Sequence, residues 1–348
     1  MGRFTVGLAR PAVAVDEAEE KLMGKQTGVT RTGGASGRPA SARGGPTTPR
    51  PAGSRRPAAG RGRVARWPLF AGLAVAAVIV SAVVVFAVRS QSGGQESAAA
   101  VEFGHVHGLA VDDVSGALYA ATHLGLFRID GARTAVRVSK EGPDLMGFTA
   151  VGPGHFLASG HPDQHCDGPA NLGLIESTDG GVTWQTMSLS GAADFHGLRA
   201  AHDAVYGYNS TDGAFMVSTD RRTWERRSAA ALGAFAVSPT DAQTVLAVGE
   251  AGLQRSSDGG RTWTPISGAP AVGVLAWEQD AEVWGAGRDG VVWQSADGGS
   301  TWQRRGRLPA QPHALTTDES TVFAALAGDE IVASADGGAT WTRRYAPA

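Results

Sequence analysis

His105 and His107, Asp144 and Met146, Asp194 and His196, and Gln311 and His313 are pairs of polar or ligating residues, each separated by one residue. On an extended chain, side chains two apart share a face. Three kinds of chemistry suit such pairs. Neutral imidazoles are the commonest protein ligands for zinc and copper, and a sulfur ligand beside them favours copper. His107, His196, His313 and Met146 are the candidate ligands, and Cys166 is the chain's single thiol. Two carboxylates flanking a glycosidic bond can hydrolyse it, at roughly 5–5.5 Å apart for retention or about 6.5–9.5 Å for inversion. Asp144 and Asp194 are the candidate pair, with Asp163 a third carboxyl that burial would turn into the acid. The remaining role is structural, with histidines bonding the backbone and filling space.

These residues are scattered over two hundred positions, so the fold must gather them. The device is a repeat. STDGGVTW begins at Ser177, SSDGGRTW at Ser256, SADGGSTW at Ser295 and SADGGATW at Ser334. The tryptophans that close the phrase, with Trp224 of the shortened copy STDRRTW, are separated by 40, 39, 39 and 39 residues. Each unit carries four short apolar runs, the third and fourth joined by the Asp-Gly-Gly turn. A further unit upstream, HGLAVDDVSGALYAATHLGLFRID, keeps the rhythm without the phrase. Four short strands per roughly 40 residues mark a propeller blade. The reading is an all-β, six-bladed β-propeller with blades opening at His107, Met146, His196, Gly233, Gly273 and His313.

Aligning the openings brings the scattered pairs to one axis. His105, Asp144, Asp194, Ala231, Ala271 and Gln311 occupy one equivalent position, and the six opening residues occupy the next. Blades four and five are bland there, whereas six, one, two and three are polar. The stretch SGHPDQHCDGPANLG (159–173) reads as an insertion between the second and third strands of blade two, hanging His161, Asp163, His165 and Cys166 over the same face. His123 holds the matching loop in blade one. The predicted ligand-binding set is therefore His105, His107, His123, His161, His196 and His313. His155 falls outside it.

The phrase S-x-D-G-G-x-T-W resembles the Asp-box, or BNR repeat, of sialidases, sortilin-type receptors and related bacterial glycosyl hydrolases. That resemblance implies a propeller with the turns on the side away from the ligand, so Asp179, Asp220, Asp258, Asp297 and Asp336 are structural. It also implies carbohydrate binding or hydrolysis at the axial face. A true sialidase is not implied: its arginine triad and its tyrosine–glutamate pair have no counterparts at the opening strands, where Arg199 stands alone. The same resemblance leaves two other readings open, a zinc- or copper-binding module and a non-catalytic scaffold for an envelope protein.

The N-terminal part has a different character. Residues 1–66 carry thirteen Lys or Arg against four acids and are rich in Gly, Pro, Ala and Ser. Such a segment buries too little apolar surface to offset its ordering entropy and reads as a disordered basic tail. Trp67 to Val88 is a 22-residue uncharged apolar run, long enough for one transmembrane helix through roughly 30 Å of hydrocarbon. Basic residues before it place the N-terminus in the cytoplasm and the propeller outside the cell membrane. Residues 89–100 form a linker, and 101–348 the globular part, with 17 Lys or Arg against 28 acids. That surplus of acid argues against nucleic acid, and one cysteine excludes an internal disulfide. The expected state is a monomer whose partner is a carbohydrate or an envelope protein.

Overall fold

A computed structural model describes residues 103–139, 141–163 and 168–347. The predicted tail, membrane span and linker lie outside these residues, as do His165 and Cys166. Among the described residues, no helix is long and apolar enough to cross a membrane. What they form is six antiparallel sheets of four strands, each sheet in sequence order. The first strands are Val106–Val111, Asp144–Gly152, Phe195–Ala201, Leu232–Val237, Val274–Gln279 and Pro312–Asp318. Each touches the next around a ring, and the sixth touches the first. The six-bladed propeller read from the repeat is the fold observed.

Burial follows the radius. The second strand of blade one, Leu118–Thr122, is buried at every position, whereas the fourth strand of blade five, Gln303–Arg307, is exposed at four of five. The hydrophobic core is divided into six clusters, one in each gap between neighbouring sheets. The tryptophan of each repeated phrase packs into the gap behind it: Trp184 between blades one and two, Trp263 between three and four. This is sheet-on-sheet burial repeated around a circle, and apolar area supplies its driving force.

The repeated turn is held by one carboxylate. Asp297 Oδ1 accepts hydrogen bonds from Ser295 Oγ at 2.7 Å and Thr301 N–H at 2.8 Å, while Oδ2 accepts from Thr301 Oγ1 at 2.6 Å. Ser295 Oγ in turn accepts from Gly299 N–H. The shortened copy keeps the Ser218–Asp220–Thr223 bonds and places Arg221 at φ 61° where the full copies use glycine. Its guanidinium reaches back to the Glu176 carboxylate of blade two. These turns adjoin the hairpins between first and second strands, as Gly180 N–H donating to Gly154 O shows. They therefore crowd the end of the propeller opposite the one where first strands begin.

Candidate functional site

The first strands begin at an axial mouth. Below it lies a cavity of about 230 Å³, lined by all six opening residues, His107, Met146, His196, Gly233, Gly273 and His313. The polar half belongs to blades six, one, two and three, and the glycines of blades four and five leave the other half bare. His105 also lines this space, its ring stacked on His313 with centroids 4.1 Å apart and tilted against His107 at 4.6 Å. A second space of about 450 Å³ opens at the far end, and Arg199 borders both. Arg199 Nη1 donates to Leu198 O, while its buried Nε has no partner among the described residues.

Among the described residues, two compact groups form at the mouth. In the first, His123 Nδ1 and Asp144 Oδ1 are 2.9 Å apart, His107 Nε2 and His123 Nδ1 3.4 Å, and His107 Nε2 and Asp144 Oδ1 3.9 Å. His107 comes from the first strand of blade one, His123 from that blade's loop between second and third strands, and Asp144 from the first residue of blade two's inner strand. Gly104, at φ 75°, fits the entering chain beside His123, where an added Cβ would sit 3.3 Å from the His123 Cβ. The His107 imidazole is held down to about 3. Burial is the main cause, and charge on His105 or His123 would repel a proton there, with Asp144 opposing. It is therefore neutral, with a lone pair to offer, at any ordinary pH.

In the second group, Asp194 Oδ2 lies 2.8 Å from His196 Nε2 and 3.7 Å from His161 Nε2. The carboxyl is buried at 6% exposure. Burial alone would raise its pKa, but the His196 and Ser210 hydrogen bonds and the nearby His161 more than offset this and hold it below the ordinary carboxylate range. Each group brings its ligand atoms within 4.8 Å of one another. The groups are neighbours, since Asp144 and His161 are cross-strand partners in blade two. Gly160 makes that pairing possible: at φ 143°, an added Cβ would sit 1.9 Å from Asp144 O.

The predicted residues thus converge, but in a partition the sequence did not give. His107 and His196, expected to share one ion, stand in different groups; His313 stacks on His105, and Met146 lines the cavity. Asp144 and Asp194, expected as a hydrolytic pair, each bond an imidazole. Asp163 Oδ2 accepts from Gly142 N–H at 3.0 Å, tying its loop to the end of blade one. His155 and His202 lie at the far end, where His155 meets Glu176 and His202 donates to Ser238 O. Sequence reasoning missed Ser210, Asn209 and the Ala170 carbonyl as supports of the second group. The Asp194–His196 spacing was the available signal for its centre.

The first triangle fits a metal ion. Tetrahedral coordination at roughly 2.0–2.1 Å per bond puts ligand atoms about 3.4 Å apart, and the observed separations of 2.9, 3.4 and 3.9 Å bracket that value. Imidazole and carboxylate suit first-row divalent ions such as zinc.

No protein-family model matches the chain, and no curated protein matches it. Solved structures do. A structure of the nidogen/laminin complex aligns with TM-score 0.52 at 11% identity, over 66% of this chain and 93% of that one. The GH74 xyloglucanase from Xanthomonas campestris aligns with TM-score 0.47 at 17% identity, over 68% of this chain and 45% of that one. YCF48 bound to a D1 peptide aligns with TM-score 0.40 at 14% identity, over 57% and 67%. The chain spans under half the length of the xyloglucanase. At these identities the likeness is one of fold, a β-propeller.

Proposed function

We propose that this protein is a metal-binding propeller, holding a zinc or copper ion at its axial mouth through His107, His123 and Asp144. The observation that carries this reading is the triangle of ligand atoms at tetrahedral spacing, one of them on a partly buried imidazole. Carbohydrate binding or hydrolysis is the second reading, favoured by carboxylates from adjacent blades at one mouth. It is weaker because Asp163, the expected acid, accepts from the Gly142 N–H instead, and Asp194 is held low rather than raised. The apolar run 67–88 supports presentation outside the cell membrane, with the mouth open to a carbohydrate or an envelope protein.

The test uses the full-length protein, purified in detergent and stripped with chelator. Zinc and Cu(II) are titrated by calorimetry, and bound metal is counted by mass spectrometry. The expected result is stoichiometric zinc or copper whose affinity falls at least about 100-fold in His107→Ala and His123→Ala while the circular dichroism spectrum is unchanged. Metal binding that is untouched by both substitutions overturns the assignment.

A further inference from the structure

Asp194 carries a feature that the first group does not explain. Its Oδ2 accepts from His196 Nε2 and from Ser210 Oγ, both at 2.8 Å, and its backbone N–H is fixed by Asn209 Oδ1 at 2.9 Å. Among the described residues, its other oxygen, Oδ1, is buried and has no hydrogen-bond partner. A carboxylate oxygen removed from water and left unpaired is costly, and native structures seldom keep one without a use.

His161 sharpens the point. Its Nδ1–H donates to the Ala170 carbonyl at 2.9 Å. Its Nε2 lies 3.7 Å from Asp194 Oδ2, beyond hydrogen-bond distance, and both atoms lie within 4.8 Å of the third ligand atom, on His196. An imidazole that donates its far nitrogen to a backbone carbonyl is also the usual outer support of a metal-ligating histidine.

We infer that His161, Asp194 and His196 form a second cation site, taking a first-row divalent ion of the zinc class beside the first. Two imidazoles and one carboxylate supply its ligands, and Asp194 Oδ1 is an acceptor that no described residue uses. The cross-strand pairing of Asp144 with His161 sets the two sites side by side, so the mouth holds a pair of ions bridging blades one to two and two to three. This deepens the metal-binding reading, yet rests on separate residues, so either site can fail alone.

The full-length, chelator-treated protein is titrated with Co²⁺ and with Zn²⁺, and bound metal is counted after gel filtration. Co²⁺ also reports ligand geometry through its visible absorption. The expected outcome is two ions per chain, falling to one in His161→Ala, one in Asp194→Asn and one in His107→Ala, and none in the His107→Ala/His161→Ala double variant. One ion lost in His107→Ala but kept in His161→Ala and Asp194→Asn overturns the second site and leaves the first standing. The reverse pattern overturns the first and leaves the second. Two ions in every variant, or none in the native protein, overturns both. Should Asp194→Asn misfold, His161→Ala decides, because its ring is 39% exposed and bears little of the core.

Discussion

The two glycines of the repeated turn in blade two do different things. In blade two, Gly180 at φ 76° faces open space, while Gly181 at φ 90° sits where a Cβ would lie 2.4 Å from Leu126 of blade one. The second glycine of blade four is tighter still: a Cβ on Gly260 would lie 2.2 Å from the Phe215 ring of blade three. Both glycines relieve a left-handed backbone, but the second also lets one blade close on its neighbour. Gly180→Ala should cost only the backbone term, about 1–2 kcal/mol, and Gly181→Ala a further 1–3 kcal/mol or so from overpacking. Urea denaturation of the two variants measures the difference, and equal losses would show that the turn, not the gap, sets the requirement. The need for positive φ was readable from the sequence. The approach of the neighbouring blade was not, because it depends on residues some fifty positions upstream.

The turn as an element is an acid-sensitive clasp. The carboxyls of Asp179, Asp297 and Asp336 are held down to about 2, first by the Thr side-chain hydroxyl and then by the Thr backbone N–H and the Ser hydroxyl. Those of Asp220 and Asp258 are lower still. A carboxyl whose folded pKa lies below its unfolded value adds stability that is complete above the unfolded value, and that stability disappears as pH falls through the folded one. The ordinary value is near 3.8. Stability should therefore hold steady from pH 7 to about 5 and fall between about pH 4 and 2. Asp297→Asn should lower the melting temperature at pH 7 and make the remaining acid decline shallower. Melting curves across that range check both, and an unchanged slope would assign the acid response elsewhere. That such turns recur at blade spacing was plain in the sequence, since one carboxylate, two hydroxyls and two glycines fit in eight residues. The shortened copy was harder to read: Arg221 replaces glycine at positive φ, and its bond to Glu176 of the blade before could be found only in three dimensions.

At the scale of the whole molecule, the ring made part of the site legible and hid the rest. Aligning the six openings placed His107, Met146, His196, Gly233, Gly273 and His313 around one cavity, as observed. The division into two groups depends on loops, since His123 and His161 reach the mouth from strand ends whose direction no repeat alignment specifies. Closure of the ring is a further property of the whole. Blade one is built from the start of the globular part and blade six from its end, and among the described residues no strand is shared between them. Phe103 seals that seam, fully buried, stacked on Tyr345 at 4.8 Å and donating its N–H to Asp329. The His105–His313 stack crosses the same seam. Phe103→Ala should cost about 3–5 kcal/mol, as large aromatic truncations in cores do. The loss should also be local, because every other gap is spanned by continuous chain and this one by side chains and the Ala346 to Ala132 hydrogen bond. Native-state hydrogen exchange should accordingly rise in Val106–Val111 and Ala314–Asp318 while blades three and four stay protected. Uniform loss of protection around the ring would mean that the propeller opens as one cooperative unit, with no weak joint between its first and last blades.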